Sequence, residues 1–304
     1  MKILVTGGAG FIASNIVDSY LSKGHEVIII DNLSTGKKEN LNSKAKFYLA
    51  DVRDKTRIEE IFSKEKPEAV SHHAAQMDVR KSVSDPAFDT ESNIMGIINI
   101  GESCVKHGAK KIIFSSSGGV LYGECEKPAK ETDVKPPISP YGISKFASEL
   151  YLNYWKELYG LTYTALRYAN VYGPRQTGGE AGVISIFIRS FLEGKQATIF
   201  GGGKQTRDYV CVGDVVDANT KALDKGDNNS FNIGTGKATS VNELYDLIKK
   251  SFASTITPKY APARPGELQK NVIDNQKAAD ILGWSPKINL SGGIEETITW
   301  FKNR

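Results

Sequence analysis

A tyrosine and a lysine four residues apart are the side chains best suited to chemistry in this 304-residue chain. Tyr141 and Lys145 have the spacing that puts two side chains on one face of a helix, roughly 6 Å apart. A free tyrosine titrates near pH ~10 and is a weak base at neutral pH, but a neighbouring ammonium favours its phenolate. We therefore predict that Tyr141 is a general base and acid. The alternative is a chance pair on an exposed helix, because this spacing is common.

A run of three serines, Ser115 to Ser117, precedes this pair and ends an apolar segment with the pattern of a strand. In a parallel sheet, ligands bind at the carboxyl ends of the strands. We expect one of these hydroxyls to bond a substrate hydroxyl and relay its proton. The alternative is a polar exit from the strand, in which the hydroxyls only cap the backbone.

A glycine-rich turn stands at the start of the chain, between an apolar strand and a helix. Gly7, Gly10 and Ala13 follow the spacing of dinucleotide-binding turns. There, a first glycine makes the tight turn, a second lets the backbone approach a pyrophosphate, and a small third residue lets helix and strand pack closely. The helix N-terminus supplies N–H groups to the anion. The alternative is a plain structural turn.

An aspartate, Asp31, ends the second predicted strand and strengthens the cofactor prediction. A carboxylate at this place can hold both ribose hydroxyls of an adenosine and repels a 2′-phosphate, so we predict NAD rather than NADP. Lys37 and Lys38 stand close enough to meet such a phosphate, although lysines in a loop are commonly solvated.

The elements that must position these residues alternate between strand and helix, which predicts an α/β fold with a doubly wound parallel Rossmann-type sheet. Residues 1–169 form the predicted NAD-binding domain, with later segments interleaved, and 170–304 form a smaller mixed α/β lobe for the substrate. The predicted strands of the first domain are 2–6, 26–30, 47–50, 69–72, 111–116 and 161–167. The predicted helices are 11–23, 56–64, 90–107 and 140–159, and in the lobe 183–193, 241–252 and 292–303.

Composition excludes several classes of protein. The formal charge of +4 is slight and scattered, so no nucleic-acid partner is expected. Three cysteines, an odd number without metal-ligand spacing, predict reduced thiols, a cytoplasmic protein and no metal site. The apolar runs are too short for a membrane span, so no membrane partner is expected.

The order of these motifs resembles the extended short-chain dehydrogenase/reductase family, and within it the UDP-glucose 4-epimerase branch, over essentially the whole chain. The segments that carry the resemblance are TGGAGFIAS at 6–14, DNLSTGKKENL at 31–41, HHAAQ at 72–76, FSSSGGVLYGE at 114–124, SPYGISK at 139–145, LRYANVYGPRQ at 166–176, IFGGGKQTRDYVCVGDV at 199–215 and RPGE at 264–267.

The resemblance implies roles for individual residues. Ser117, Tyr141 and Lys145 would be the catalytic triad. The implied NAD contacts are Gly7, Gly10, Phe11 and Ile12 at the pyrophosphate, Asp31, Asn32, Ser34, Thr35 and Gly36 at the ribose, Asp51 and Val52 at the adenine, and His73, Ala74, Ala75, Asn93, Tyr141, Lys145 and Tyr168 along the rest of the cofactor. The implied substrate contacts are Ser117, Asn170, Thr198, Phe200, Arg207, Arg264 and Glu267.

The triad serine departs from the family pattern. Many relatives place the catalytic serine or threonine four residues before the tyrosine of a VYG-like motif, where this chain has Gly118. Ser117 stands five residues before Tyr122, so the segment carries one extra residue. We assign the triad serine to Ser117, with Ser116 as the alternative.

The reaction implied is NAD-dependent epimerisation at C4 of a nucleotide sugar, most simply UDP-glucose and UDP-galactose. Tyr141 would take the proton from O4 while C4 passes hydride to NAD, and hydride would return to the other face of a 4-keto sugar. Asn271 borders the sugar pocket in relatives, and its modest side chain suggests that N-acetyl sugars are also accepted. A homodimer is implied, through helices at 90–107 and 141–159.

Other hypotheses are also compatible with the sequence: a UDP-glucuronate epimerase, a dehydratase, a reductase, or a non-catalytic NAD-binding scaffold. Dehydrating relatives carry an acid beside the catalytic serine or threonine, where this chain has Gly118 and Gly119, and Glu124 is too far along to replace it. A scaffold would be expected to have lost Tyr141 or Lys145.

Overall fold

A seven-stranded parallel sheet forms the centre of the protein, in the order β10-β6-β5-β4-β1-β2-β3. The computed structural model describes residues 1–176, 182–264, 266 and 268–304. Strand order reverses between β1 and β4, which confirms the predicted doubly wound topology and marks the edge where ligands bind in such sheets. The strands are β1 (Lys2–Thr6), β2 (Glu26–Asp31), β3 (Lys46–Leu49), β4 (Ala69–His72), β5 (Lys111–Ser117), β6 (Thr162–Tyr168) and β10 (Asn229–Ile233).

Helices cover both faces of the sheet because successive strand residues point to opposite sides. Ile3 and Val5 pack in one apolar cluster with α1 (Phe11–Ser22) and α9 (Val212–Ala222). Leu4 packs in a second cluster with residues of the helices on the other face. Those helices are α2 (Lys55–Glu65), α5 (Gly96–His107) and α7 (Pro140–Tyr159).

Helix α7, which carries the predicted base, has the bounds expected from its sequence. Ser139 caps it by accepting a bond from the Gly142 N–H at 3.2 Å, Pro140 occupies the first turn, and Gly160 ends it at φ +67°. Helix α7 lies close to α5 at Gly101, where an added Cβ would come within 2.3 Å of the Trp155 ring.

The predicted helix at 90–107 begins earlier than expected. Helix α4 (Pro86–Thr90), capped by the Asp85 carboxylate, runs through a π-helical turn (Glu91–Met95) into α5. The sequence Asp85-Pro86 is itself a helix-start signal, an N-cap acid followed by proline. Two short helices, α3 (Val79–Ser84) and α6 (Gly118–Leu121), flank this region.

The smaller lobe is built on short strands around β9 (Thr206–Cys211). Strands β7 and β13 pair with β9 in parallel and β11 pairs with it antiparallel, while β8 and β12 form a separate parallel pair. Its apolar cluster draws mainly on three helices. The lobe contains β7 (Asn170–Tyr172), β8 (Thr198–Phe200), β11 (Ala238–Ser240), β12 (Lys259–Ala261), β13 (Lys270–Asn271), α8 (Val183–Leu192), α10 (Val241–Ser251) and α11 (Leu290–Lys302).

The later part of the chain also contributes to the central sheet. Strand β10 pairs with β6 at one edge of it, and α9 packs against α1. None of the helices in the described part of the chain is both long and apolar enough to span a lipid bilayer.

Candidate active site

The three residues predicted as a triad meet at the carboxyl end of β5. The Ser117 hydroxyl lies close enough to the Tyr141 hydroxyl to lower its pKa. The Lys145 ammonium lies 5.7 Å from the centre of the Tyr141 ring and donates to the Ser115 carbonyl at 2.6 Å. It also lies 4.7 Å from the centre of the Phe114 ring. The geometry therefore puts a hydroxyl relay and a cation beside one phenol.

The protonation of this group is set by burial and by nearby charge. Burial raises the pKa of Tyr141, the Asp89 carboxylate raises it further, and the nearby Ser117 hydroxyl lowers it. Burial lowers the pKa of Lys145 to about 8, although Asp89 and Glu149 act in the opposite direction. Tyr141 therefore needs added positive charge to ionise near neutral pH, and Lys145 together with a nicotinamide ring can supply it.

Ser116, the alternative triad serine, has another partner, which favours Ser117. Ser116 is buried and donates to Glu149 Oε1 at 2.5 Å. Ser115 offers its carbonyl to Lys145. Strand β5 ends at Ser117 and α6 begins at Gly118, so Ser117 is the last residue of the strand.

A buried ion pair, which sequence reasoning missed, lies beneath the triad. Arg167 donates to both oxygens of Glu149, at 2.6 and 2.9 Å, and to the Tyr122 hydroxyl at 2.9 Å. The Tyr122 hydroxyl in turn donates to Asn232 Oδ1 at 2.6 Å. An arginine inside an apolar strand is the signal that could have found it, because a buried charge requires a partner. The pair joins β5, β6, β10 and α7 below the site.

The glycine turn has the shape expected of an anion-binding turn. Gly7 adopts φ +70°, and an added Cβ would lie 2.8 Å from the Ala74 nitrogen, so the turn fits closely against the loop after β4. Thr6 Oγ1 accepts from the N–H groups of His73 and Ala74, each at 3.1 Å. The N-cap of α1 is Gly10, which has no side chain to cap the helix. Phe11 and Ile12 begin this helix, at its positive end.

Asp31 lies between the glycine turn and the following loop. Its carboxylate accepts from the N–H groups of Ala9 at 3.0 Å and Leu33 at 2.7 Å. Burial raises its pKa, and these two bonds lower it. A carboxylate has about four acceptor sites, so two ribose hydroxyls can still bind. An added Cβ on Gly36 would lie 2.8 Å from Asp31 Oδ1, which explains why a glycine stands there.

The predicted adenine end lies beyond Asp31. Asn32 donates to Asp51 at 2.8 Å, and the Arg53 guanidinium lowers the pKa of Asp51 to about 2. Val52 is buried. Ser34 and Thr35 are exposed in the loop that follows Asn32.

The remaining predicted cofactor residues lie along the loop after β4 and on the next strands. The Asn93 side chain is hydrogen-bonded to this loop: it accepts from the Gln76 N–H at 2.8 Å and donates to the Gln76 carbonyl at 2.9 Å. His73, Ala74 and Ala75 precede Gln76 in the loop. The structure does not turn the Tyr168 hydroxyl towards the triad: it accepts from Asn219 at 2.8 Å, within the apolar cluster of α1 and α9.

These residues fit NAD on the evidence of unsatisfied polar atoms. Asn40 Oδ1 and His73 Nδ1 are buried and have no hydrogen-bond partner in the described ranges. Asn40 donates to the Ala9 carbonyl of the glycine turn, and His73 follows β4. A polar ligand bound beside the glycine turn and the loop after β4 would satisfy such atoms.

The predicted substrate residues lie on the smaller lobe. The Arg264 guanidinium stacks 3.9 Å from the centre of the Phe200 ring on β8, beside exposed Thr198. Asn170 is exposed on β7, and Arg207 on the adjacent strand β9 donates to the Thr206 carbonyl. Glu267 lies outside the described residues. The lobe thus carries aromatic, amide and guanidinium groups on or beside strands β7, β8 and β9.

Glu124 and Asn271 are bound to each other's segments. The Glu124 carboxylate accepts from the backbone N–H groups of Gln269 at 2.8 Å and Lys270 at 2.7 Å. Asn271, which is buried and paired in register with Arg207, donates to the Gly123 carbonyl at 3.1 Å. Glu124 therefore ties β13 to the loop after Tyr122.

Known proteins are similar to this chain over both lobes. Residues 3–234 match the model of the NAD dependent epimerase/dehydratase family. A putative UDP-glucose 4-epimerase of Methanocaldococcus jannaschii is 50% identical over 99% of this chain and 98% of that protein. The crystal structure of a UDP-glucose 4-epimerase from Thermotoga maritima with UDP-glucose has a TM-score of 0.98 and 50% identity, covering 100% of this chain and 99% of that one. A Thermus thermophilus UDP-glucose 4-epimerase in complex with NAD has a TM-score of 0.94 and 42% identity, covering 99% of each chain.

Proposed function

This chain belongs to the NAD-dependent epimerase/dehydratase family, and we propose that it is an isomerase that interconverts UDP-glucose and UDP-galactose at C4. The observation that carries the proposal is the meeting of Ser117, Tyr141 and Lys145 at the carboxyl end of β5, on the same sheet edge as the glycine turn. The relatives named above at 42 and 50% identity, which match nearly the whole chain, support the same activity.

The chain's own residues account for the proton transfers. Bound NAD supplies a reversible acceptor of hydride at the sugar carbon. Tyr141 takes the proton of the sugar O4 and returns it once the sugar has turned, so it acts as base and then as acid. Ser117 bonds the same hydroxyl and relays its proton to Tyr141. Lys145 favours the phenolate by its charge and holds the ribose next to the nicotinamide.

The same residues explain why isomerisation is favoured over elimination. A dehydratase needs a second acid or base near the keto sugar. Gly118 and Gly119, which follow Ser117, supply no acid or base. The Glu124 carboxylate is already bound by the backbone N–H groups of Gln269 and Lys270. The complete triad also argues against a non-catalytic scaffold.

Substrate recognition belongs to the lobe of residues 170–304 in this proposal. Arg207 and Arg264 hold the diphosphate, because guanidinium groups suit phosphate oxygens, and Asn170 helps them. Thr198 and Phe200 bind the base, and Glu267 the nucleoside ribose. Asn271 is small and tied back to Gly123, which leaves room for an N-acetyl group, so we propose that both plain and N-acetyl sugars are accepted.

Incubation with UDP-galactose, without added cofactor, tests the activity. The expected result is formation of UDP-glucose, because NAD is regenerated in each turnover and stays bound. UDP-N-acetylgalactosamine is expected to react as well. Turnover of neither sugar, even with NAD added, would reject the substrate assignment, and turnover of only one would reject the broad sugar range.

We also propose a homodimer formed through α5 and α7. Three apolar side chains on α7 are strongly exposed: Ile143 at 51%, Leu150 at 58% and Leu158 at 67%. Their spacing of seven and eight residues puts them on one stripe of the helix. Met95, in the π-helical turn that leads into α5, is 45% exposed. A second copy of this chain is the occupant that a self-complementary helix pair fits.

The double variant Leu150→Glu, Leu158→Glu tests this dimer. We expect it to sediment as a monomer, because two charges would be buried against their own copies. The control is Ile186→Glu on α8, 46% exposed in the other lobe, which should leave the dimer intact. A native protein that is already monomeric would reject the proposal.

The buried, unpaired state of all three cysteines is consistent with a cytoplasmic location, which we propose as well.

A further inference from the structure

A buried carboxylate that the proposed mechanism does not use lies against the base-bearing helix. Asp89 on α4 is fully buried. Its Oδ2 accepts from the Ser144 hydroxyl at 2.7 Å, and its Oδ1 accepts from the side-chain amides of Gln76 at 3.0 Å and Asn93 at 3.1 Å. One carboxylate therefore links α7 to the loop and helix that border the predicted cofactor path.

The position of Ser144 gives this link its meaning. Ser144 stands directly before Lys145 and three residues after Tyr141, in the same turns of α7. Fixing its hydroxyl fixes the rotation and height of that part of the helix. The other arm of the link ends on Asn93, which holds the Gln76 backbone on both its N–H and its carbonyl. A shift of Asp89 would therefore move the acid–base pair and the cofactor loop relative to each other.

Asp89 also acts on Tyr141 and Lys145 through its charge. Its three side-chain donors are neutral groups, whereas Glu149, the other anion that acts on Lys145, is bound by the Arg167 guanidinium. Asp89 raises the pKa of both Tyr141 and Lys145.

The other titratable groups facing Lys145 are the imidazoles at the end of β4, and they carry no charge near neutral pH. Burial lowers the pKa of His73 to about 3 and that of His72 well below its ordinary value. Asp89 is thus the anion near the pair whose charge is least compensated.

We propose that Asp89 is a positioning residue for the acid–base pair: its carboxylate anchors the turn of α7 that carries Tyr141 and Lys145 against the cofactor loop, and it places a negative charge near the pair. The inference rests on the proposed function for its kinetic consequences, but not for its effect on the ionisation of Tyr141.

The variant Asp89→Asn removes the charge and keeps the shape, since its amide can accept from Gln76 and donate to the Ser144 oxygen. The competent pair is a phenolate beside an ammonium, and loss of the anion lowers the pKa of both groups. Both limbs of the kcat–pH profile should therefore move to lower pH by about one unit, with the KM for the UDP-sugar within about threefold of native, a range well short of the tenfold that one pKa unit represents.

A spectroscopic readout makes the test independent of the substrate. The fraction of Tyr141 ionised at one alkaline pH, where all proteins remain folded, follows from tyrosinate absorbance after subtraction of the matching Tyr141→Phe protein. In the NAD-loaded protein this fraction should be higher with Asp89→Asn than with native Asp89. An equal or lower fraction overturns the electrostatic part of the proposal, whether or not any sugar is turned over.

Ser144→Ala is the matched control, because it cuts the anchor and keeps the charge. We expect its pH limbs to stay in place and its kcat to fall by roughly 3- to 10-fold, consistent with the loss of one hydrogen bond. Native kcat in Ser144→Ala overturns the anchoring part, and this variant decides that part even where Asp89→Asn does not fold. Movement of the limbs in Ser144→Ala as large as in Asp89→Asn overturns the assignment of the shift to charge.

Discussion

Replacement of Tyr141 by phenylalanine is expected to lower kcat by about 10³-fold, within the range of a general acid–base group. The substitution keeps the ring beside Lys145 and removes the hydroxyl whose pKa Ser117 lowers. No other group in the described site then accepts the O4 proton, since the Lys145 ammonium has no acceptor. The KM should change little, because we propose that the other lobe holds the phosphates and the base.

A matched control for this prediction is Tyr154→Phe on the same helix, an exposed tyrosine whose hydroxyl lies near Tyr159. Its kcat should equal that of the native protein. NAD content and thermal unfolding of both variants, measured beside the steady-state rates, separate loss of chemistry from loss of structure. A kcat within tenfold of native in folded, NAD-loaded Tyr141→Phe would mean that another group is the base.

Replacement of Ser117 by alanine is expected to lower kcat by about 10²-fold, whereas Ser116→Ala should leave it near native. The reason is the partner of each hydroxyl. The Ser117 hydroxyl lies next to that of Tyr141, whereas Ser116 donates to Glu149 beneath the site. Ser116→Ala should instead lower the free energy of unfolding by about 1 kcal/mol, the net worth of a hydrogen bond to a buried acceptor.

Ser117→Thr completes this test, because a threonine retains the hydroxyl and should recover much of the rate. Steady-state kinetics and urea unfolding of the three variants give the comparison. If Ser116→Ala loses more kcat than Ser117→Ala at native stability, the triad serine is Ser116 rather than Ser117.

The sequence predicted those parts of the fold whose signals are local. The glycine turn, the apolar strands of the central sheet and the helix from Pro140 to Tyr159 each carry their own start and stop residues. The closeness of Tyr141 and Lys145 could be predicted as well, because their i, i+4 spacing needs only the helix to form.

The contacts that position this chemistry could not be predicted in the same way. Asp89 and Ser144 are 55 residues apart, and Ser116 and Glu149 are 33 apart, so their meeting depends on tertiary packing. Strand β10 reaches the edge of the sheet from far along the chain, with a short sequence that shows little periodicity. The strands of the smaller lobe other than β9 have two or three residues each, too few for an alternating pattern.

The most direct test of the account is the fate of a deuterium at C4 of UDP-galactose, followed by mass spectrometry and NMR in ordinary water with the protein as purified. The account predicts UDP-glucose that keeps the deuterium at C4, because the hydrogen leaves and returns as hydride while Tyr141 moves only the O4 proton. UDP-glucose in which the label has been replaced from solvent would contradict the mechanism, and no UDP-glucose at all would contradict the activity.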